Sequence, residues 1–434
     1  MAREMKDSGI EWIGEIPADW NTYRMKSCIS KRDSGAWGDE ANGTDGDVIC
    51  LRIADFDYSR FRFKDIPINE FTKRHYSKDT IKNLLLQKDD ILIEKSGGGE
   101  KTPVGRTVIF DKDFPALYAN FMDRLRCSDI VIPVFMEYIF VSFYKNRYTM
   151  NYVKQTTGIQ NLDLTSMLAM EIVAVPPLPE QQKIAAHLDS ECAKIDDVIT
   201  KTKATIEEYK KLKQSVITEA VTKGIRPNRE MKDSGIEWIG EIPKEWTVEK
   251  GKHILTLLER PVKDDDGVIT CFRDGEVTLR SNRREEGYTF SIQETGYQGI
   301  EPNDLVVHGM DGFAGAIGIS DSRGKATPVL NVLDSSEYKK YIMYYLRSMA
   351  YNGVFLALST GIRVRTCDTN WNKLKELPYP LPSIEEQREI SEYIDKSTLR
   401  INEIISQKSS LLTELESYKK SLIYEYVTGK KEVE

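Results

Sequence analysis

Two long stretches of the chain, Glu180 to Lys223 and Ser383 to Thr428, contain neither proline nor glycine. In the first, Cys192, Ile199, Ile206, Lys213 and Ala220 recur every seven residues, with Ile195, Thr202, Tyr209 and Val216 interleaved three positions on. In the second, Thr398, Ile405, Leu412, Lys419 and Tyr426 alternate in the same way with Ile401, Lys408, Leu415 and Leu422. A seven-residue repeat of this kind keeps one apolar seam on one side of a helix, the arrangement that pairs helices into a coiled coil. Each stretch starts just after a proline, Pro179 or Pro382, and Ser383 with Glu386 fits a capping box. The pattern predicts two helices, each about 65 Å long at ~1.5 Å per residue. An isolated amphipathic helix on a core would show a similar stripe. A heptad sustained twice, with lysines at matching seam positions (Lys213 and Lys419), favours pairing of the two helices with each other, antiparallel. The expected seam is Ile195, Ile199, Ile206, Tyr209 and Val216 against Ile401, Ile405, Leu412, Leu415 and Leu422.

Between and before these helices the periodicity changes. Residues 89–99 (DDILIEKSGGG) read as a buried strand ending in a glycine turn, and 104–110 (VGRTVIF) as a returning strand. Residues 134–148 read as an aromatic-rich helix. The same order recurs in 303–312, 315–320 and 337–351, and each block helix is followed by a glycine turn, TTGIQ (156–160) or STGIR (359–363). Both blocks therefore read as mixed α/β domains on one plan.

The duplication is explicit elsewhere. Residues 3–17 and 229–243 both read REMKDSGIEWIGEIP, and Trp20 and Trp246 extend the match. Pro176 to Gly224 aligns without gaps to Pro382 to Lys430, pairing Gln181 with Gln387 and Asp189 with Asp395. Such self-similarity defines the organisation: a motif (1–20), a variable block (21–174), a helix (175–228), the motif again (229–246), a second block (247–380) and a second helix (381–434). The tryptophan motif is expected to tether each block to the helices.

Composition narrows the classes. Apolar residues are 40% and charged residues 30% of 434, a globular balance. No apolar run reaches the ~18 residues of a membrane span, and the N-terminus lacks a signal-peptide core. Six cysteines without a CxxC pair and four scattered histidines make zinc ribbons and histidine metal sites improbable, and suit a reducing cytoplasm. The net charge of −7 resides outside the two blocks, each of which is close to neutral, so total charge does not exclude a basic binding face.

Three enzyme-like signals fail. In SGGGEKT (96–102) Glu100 precedes Lys101, where a phosphate loop needs glycine. Glu94 and Lys95 are adjacent, so on a strand they point to opposite faces. Pro176-Pro177 lacks the setting of an amino-methyltransferase motif. No catalytic, cofactor or metal residue is expected. What remains is a binding set. The first turn offers Lys95, Ser96, Gly97, Gly98 and Arg106, and the corresponding region of the second block offers His308, Gly309, Arg323 and Lys325. Gln160 and Asn161 carry amides suited to adenine edges, and Arg363 and Arg365 carry guanidinium groups suited to guanine.

Taken together, KDSGIEWIGEIPADW before a variable block, VPPLPEQQKIAAHLD opening a helix that ends SVITEAVTKG, and the second-half copies KDSGIEWIGEIPKEW, LPSIEEQREISEYID and SLIYEYVTGK resemble the specificity subunit of Type I restriction-modification systems. The resemblance covers nearly the whole chain. It implies two α/β target recognition domains in a pseudo-two-fold arrangement, joined by two long helices that form an antiparallel coiled coil. Each domain would read half of a split site on double-stranded DNA. Two adenine methyltransferase subunits that bind S-adenosylmethionine would dock on the helices, and restriction subunits using ATP and Mg would join them. The chain itself would hold no cofactor and catalyse nothing, and would work in the cytoplasm. A coiled-coil scaffold with two protein-binding domains is the alternative class.

Overall fold

The computed structural model describes residues 3–156, 158–283, 295–358 and 369–433. The chain divides into two compact units. One comprises Met1–Lys203 with Ser410–Glu434, the other Ala204–Ser409. Both long helices form, over Leu178–Lys223 and Ile384–Val427, and each begins in one unit and ends in the other.

In the first unit the predicted strands Ile91–Glu94 and Thr107–Ile109 pair antiparallel. They belong to a four-stranded sheet ordered Ile29–Ser34, Met122–Cys127, Ile91–Glu94, Thr107–Ile109. The aromatic helix Pro133–Lys145 starts on its proline, whose missing N–H costs nothing in a first turn. It buries Phe135, Tyr138, Ile139 and Phe143 in one core with Ile91, Ile93 and Leu125. A second sheet (Asp39–Glu40, Lys73–His75, Asp47–Leu51, Ala116–Tyr118) carries a parallel pair that no local pattern announced.

The second unit repeats the central sheet as Leu255–Leu257, Leu330–Ser335, Leu305–His308, Ile317–Ile319, with helix Lys339–Tyr351 on its core side. The strand order matches that of the first unit, so the shared plan is a shared topology.

Inside each unit a segment of one long helix runs alongside a segment of the other. In the first, His187 stacks on Tyr426 at 4.6 Å and Asp196 pairs with Lys419 at 2.8 Å. Residue numbers climb along one helix and fall along the other, so the segments are antiparallel. In the second unit Lys213 donates to Asn402 at 2.9 Å and Arg226, three residues past the end of the first helix, pairs with Glu389 at 2.8 Å, again antiparallel. Ile195, Ile199, Ile206, Ile401 and Leu422 are buried, while Tyr209, Val216, Ile405, Leu412 and Leu415 are half-buried.

The duplicated motif has a specific job. Met5–Asp7 and Glu15–Pro17 form a small hairpin that delivers Trp20 and Arg3 to the start of the first long helix. Arg3 grips Glu180 at 2.5 and 2.9 Å, and the Trp20 indole N–H donates to the same carboxylate at 3.1 Å. In the second unit Arg229 and Trp246 hold Glu386 in the same way. A carboxylate in the first turn also complements the helix dipole. Next to this clamp, the Gln181 side-chain carbonyl accepts from Ile132 N–H at 2.8 Å while its amide donates to Ile130 and Pro176. Gln387 accepts from Tyr338 N–H at 2.9 Å. Tyr138 and Tyr344 donate to Asp189 and Asp395 at 2.8 and 2.5 Å. The residues that match between the two halves are thus those that fasten each block to its helix.

Candidate functional site

The residues singled out in the first block come from two regions about sixty positions apart, and the fold joins them. Ser96–Gly97 pairs antiparallel with Ile159–Leu162, Ser96 opposite Asn161 and Gly97 opposite Gln160, and Val153–Thr156 completes a three-stranded sheet. The Ser96 hydroxyl donates to Asn161 Oδ1 at 2.7 Å, which leaves the exposed Asn161 amide N–H₂ as a donor. Gly97 and Gly98 have φ of +119° and +62°, a region that favours glycine. A Cβ on Gly98 would stand 2.7 Å from Val104 N, so the loop closes only around glycine.

Lys95 lies at the edge of this sheet, its ammonium donating to Ser34 Oγ at 2.8 Å and pairing with Asp123 at 2.7 Å. Arg32 shares the buried Asp123 carboxylate at 2.7 Å. Sequence reasoning missed Arg32, Ser34 and Asp123, because the strand that carries the first two lies far from the glycine turn in sequence. It also missed two exposed apolar side chains at the same edge, Ile159 and Phe121. The Phe121 carbonyl accepts from Lys95 N–H at 2.9 Å.

Two expectations in this block are corrected. Gln160 does not present its amide: it is buried, and its Oε1 accepts from Val104 N–H at 3.3 Å, bracing the glycine loop. Arg106 is not an available cation. It forms a bidentate pair with Glu94 at 2.8 and 3.0 Å and stacks over Tyr58 at 3.7 Å. Burial pushes the Glu94 carboxyl up, and Arg106 opposes that shift.

In the second block, His308 ends strand Leu305–His308, and its Nδ1 accepts from the N–H groups of Met310 and Asp311 at 3.2 and 3.0 Å. Burial lowers its pKa, so the ring is neutral at pH 7, with Nε2–H as its donor. Gly309 packs so closely that a Cβ would stand 2.9 Å from Val329 O. Arg363 and Arg365 lie outside the described residues. The chain rejoins them at Thr369, whose hydroxyl donates to His308 O at 2.8 Å and whose N–H donates to Gly309 O at 2.8 Å. Thr369 thus meets the turn after the central strand, the turn that in the first block meets Ile159–Leu162. Met310 is exposed on that turn.

Arg323 and Lys325 are not part of this cluster. Arg323 pairs with Asp266 at 2.9 and 3.0 Å and with Glu301, next to the beginning of the strand that ends at His308. This contact holds Asp266 down at about 2. Lys325 lies on strand Gly324–Ala326, opposite Gly299. Among the described residues no group of His, Cys, Asp and Glu could hold a metal ion, and no helix is long and apolar enough to cross a membrane.

Two mixed α/β units share one topology, each with a glycine turn after its central strand and each fastened to segments of both long helices. Residues 19–208 match the model of a family described as the Type I restriction modification DNA specificity domain. The specificity subunit of the type I restriction enzyme StySPI from Salmonella potsdam is 21% identical over 88% of this chain and 83% of its own length. The EcoBI specificity subunit of Escherichia coli is 28% identical over 52% of this chain. The chain spans about half the length of EcoBI, and likewise of the MjaX specificity subunit of Methanocaldococcus jannaschii. A chain from a structure concerning complex assembly and conformational transition of the type I R-M system superimposes with a TM-score of 0.68 at 14% identity, over 96% of this chain and 99% of that one. The chain is therefore similar, over residues 19–208, to the type I restriction-modification DNA specificity domain, and more distantly over most of its length to a type I specificity subunit.

Proposed function

We propose that this chain is the non-catalytic DNA-recognition subunit of a type I restriction-modification complex, working in the cytoplasm. Residues 21–174 and 247–380 act as target recognition domains, each reading one half of a bipartite site in double-stranded DNA. The first reads with the edge formed by Ser96, Gly97, Ile159 and Asn161, backed by Lys95. The second reads with the turn at His308 and Gly309 and with the segment that carries Arg363 and Arg365. The paired helices space the two domains and dock two adenine methyltransferase subunits, and restriction subunits join that core. S-adenosylmethionine, ATP and Mg are handled by those partners.

The observation that carries this reading is the turn after each central strand, which meets strand Ile159–Leu162 in the first block and Thr369 in the second. It gathers short polar side chains, glycines and exposed apolar groups at one edge. Such an edge lets backbone and amides approach bases and lets Ile159 or Met310 meet thymine methyls. A good base contact is worth about 1–3 kcal/mol of discrimination.

The test is a map of methylated adenines in the host with and without the gene, and with Asn161→Ala. Loss of one bipartite methylated sequence with the gene, and relaxation of one half-site only with Asn161→Ala, are expected. An unchanged methylation map on deletion overturns the reading.

A further inference from the structure

A cleft in the first unit has a composition unlike the rest of this acidic chain. It consists of two adjoining cavities of about 330 and 230 Å³ that share Tyr58, Phe61 and Lys145. Seven cationic side chains line them, against the carboxylates of Asp196 and Glu416, in a protein whose net charge is −7. Two of the cations are spoken for: Arg106 by Glu94 and Lys419 by Asp196. Lys101, Lys145, Arg147, Lys203 and Lys420 are all exposed, and none of these side chains makes a hydrogen bond or ion pair among the described residues. Among the lining residues these five cations are met only by the Glu416 carboxylate, since Asp196 is taken by Lys419, so an anion entering the cleft would gain from several like charges at once.

The backbone points to the same place. Among the described residues five that are not glycine have positive φ. Three are Asp89, Asn228 and Asn303, whose short polar side chains tolerate it. The other two are Phe61 and Arg147, at 57° and 67°, and both line the cleft. Strain kept in bulky residues clusters at functional sites. The second copy resolves the same position differently, with Gly353 at φ 69° just after its block helix. The counterparts of Lys145, Lys203 and Lys420 are likewise neutral there: Tyr351, Ser409 and Gln214. These four charges, Lys145, Arg147, Lys203 and Lys420, therefore do not come from the shared plan.

Lys101 and Thr102 enter the cleft from the loop that begins at Gly97 and Gly98. One loop thus joins the reading edge of the first domain to the cleft, which extends to lysines on the two long helices. We propose that it seats the sugar–phosphate backbone of DNA adjoining the first half-site, with Lys101, Arg147, Lys203 and Lys420 on consecutive phosphates. The proposal rests on the DNA-reading assignment above. It adds that the grip on DNA outside the read bases is one-sided.

The test uses the full-length chain assembled with its methyltransferase subunits, carrying Arg147→Gly, Lys203→Ser and Lys420→Gln together. Each replacement is the residue of the second copy, and glycine relieves the backbone at 147. Affinity for site-bearing and site-free duplexes is measured across salt concentrations. The slope of log affinity against log salt should fall by about 0.9 per lost phosphate contact, about 2.7 in all. Both duplexes should weaken alike, with the methylated sequence unchanged. An unaltered slope in a variant that still binds its site overturns the cleft assignment and leaves the reading edge standing. Loss of the methyltransferase subunits at an unaltered slope assigns the cleft to a protein and also overturns it. If the unsubstituted assembly has no sequence preference, the DNA reading itself fails, and the cleft proposal with it.

Discussion

Glu137 sits in the core of the first unit with neither carboxyl oxygen hydrogen-bonded, and burial pushes its pKa up to about 8. At neutral pH the folded protein keeps it protonated, while the unfolded chain releases the proton near the ordinary glutamate value. Folding is therefore penalised increasingly as pH rises from about 4.5 to 8, and the penalty is complete above 8. Glu137→Gln removes the titration. The variant should gain stability over the parent by on the order of 3 kcal/mol between pH 5 and pH 7.5. Thermal unfolding of both across that range checks it, and a constant difference refutes the protonation argument. Single residues also mark where the sequence could be read and where it could not. Asn161 was legible as an exposed amide after a glycine turn. Gln160, next to it, alternates inward on the same strand and braces Val104, an outcome that needs the register of a partner strand sixty residues away. Arg106 and Arg323 read as free cations because their acids, Glu94 and Asp266, are brought in only by strand pairing and tertiary packing.

The heptad lysines show what an element adds to a residue. Lys213 and Lys419 occupy equivalent seam positions, yet their partners differ. Lys419 is buried against Asp196, over the Phe61 ring, with a further bond to Ser59 O. Lys213 reaches only the exposed amide oxygen of Asn402. Polar seam contacts of this kind fix helix register. Lys419→Met strands a buried carboxylate and should cost about 3–5 kcal/mol, whereas Lys213→Met should cost less than about 1 kcal/mol. Adding Asp196→Leu to Lys419→Met should recover most of the loss. Denaturant unfolding of the variants decides it, and equal costs at the two positions would falsify the distinction. The helices and central strands were legible because seven-residue and alternating patterns are local. The parallel pairing of Asp47–Leu51 with Ala116–Tyr118 was not, because its strands are short and bonded across a long excursion of the chain.

For the whole molecule, both long helices pass from one unit into the other, around Lys203 and Ser409. One heptad inserted after Thr202 and another after Lys408 preserves the seam and adds about 10 Å to each helix. The unread gap of the DNA site should lengthen by about one to three base pairs at ~3.4 Å each, with both half-sites unchanged. Methylation mapping checks this, and a fixed gap sinks the spacer role. The same topology has a consequence for biosynthesis. The first unit is interrupted: its chain leaves at Lys203 and resumes only at Ser410. Ile184, Leu188, Cys192, Ile195 and Ile199 share a core with Leu422, Ile423 and Tyr426. On the ribosome, residues 204–409 must be made before that partner exists, about 10 to 40 s at ~5–20 residues per second. The unit that is started first is therefore finished last. Until then its apolar helix flank is open to chaperones, proteases or any passing apolar surface.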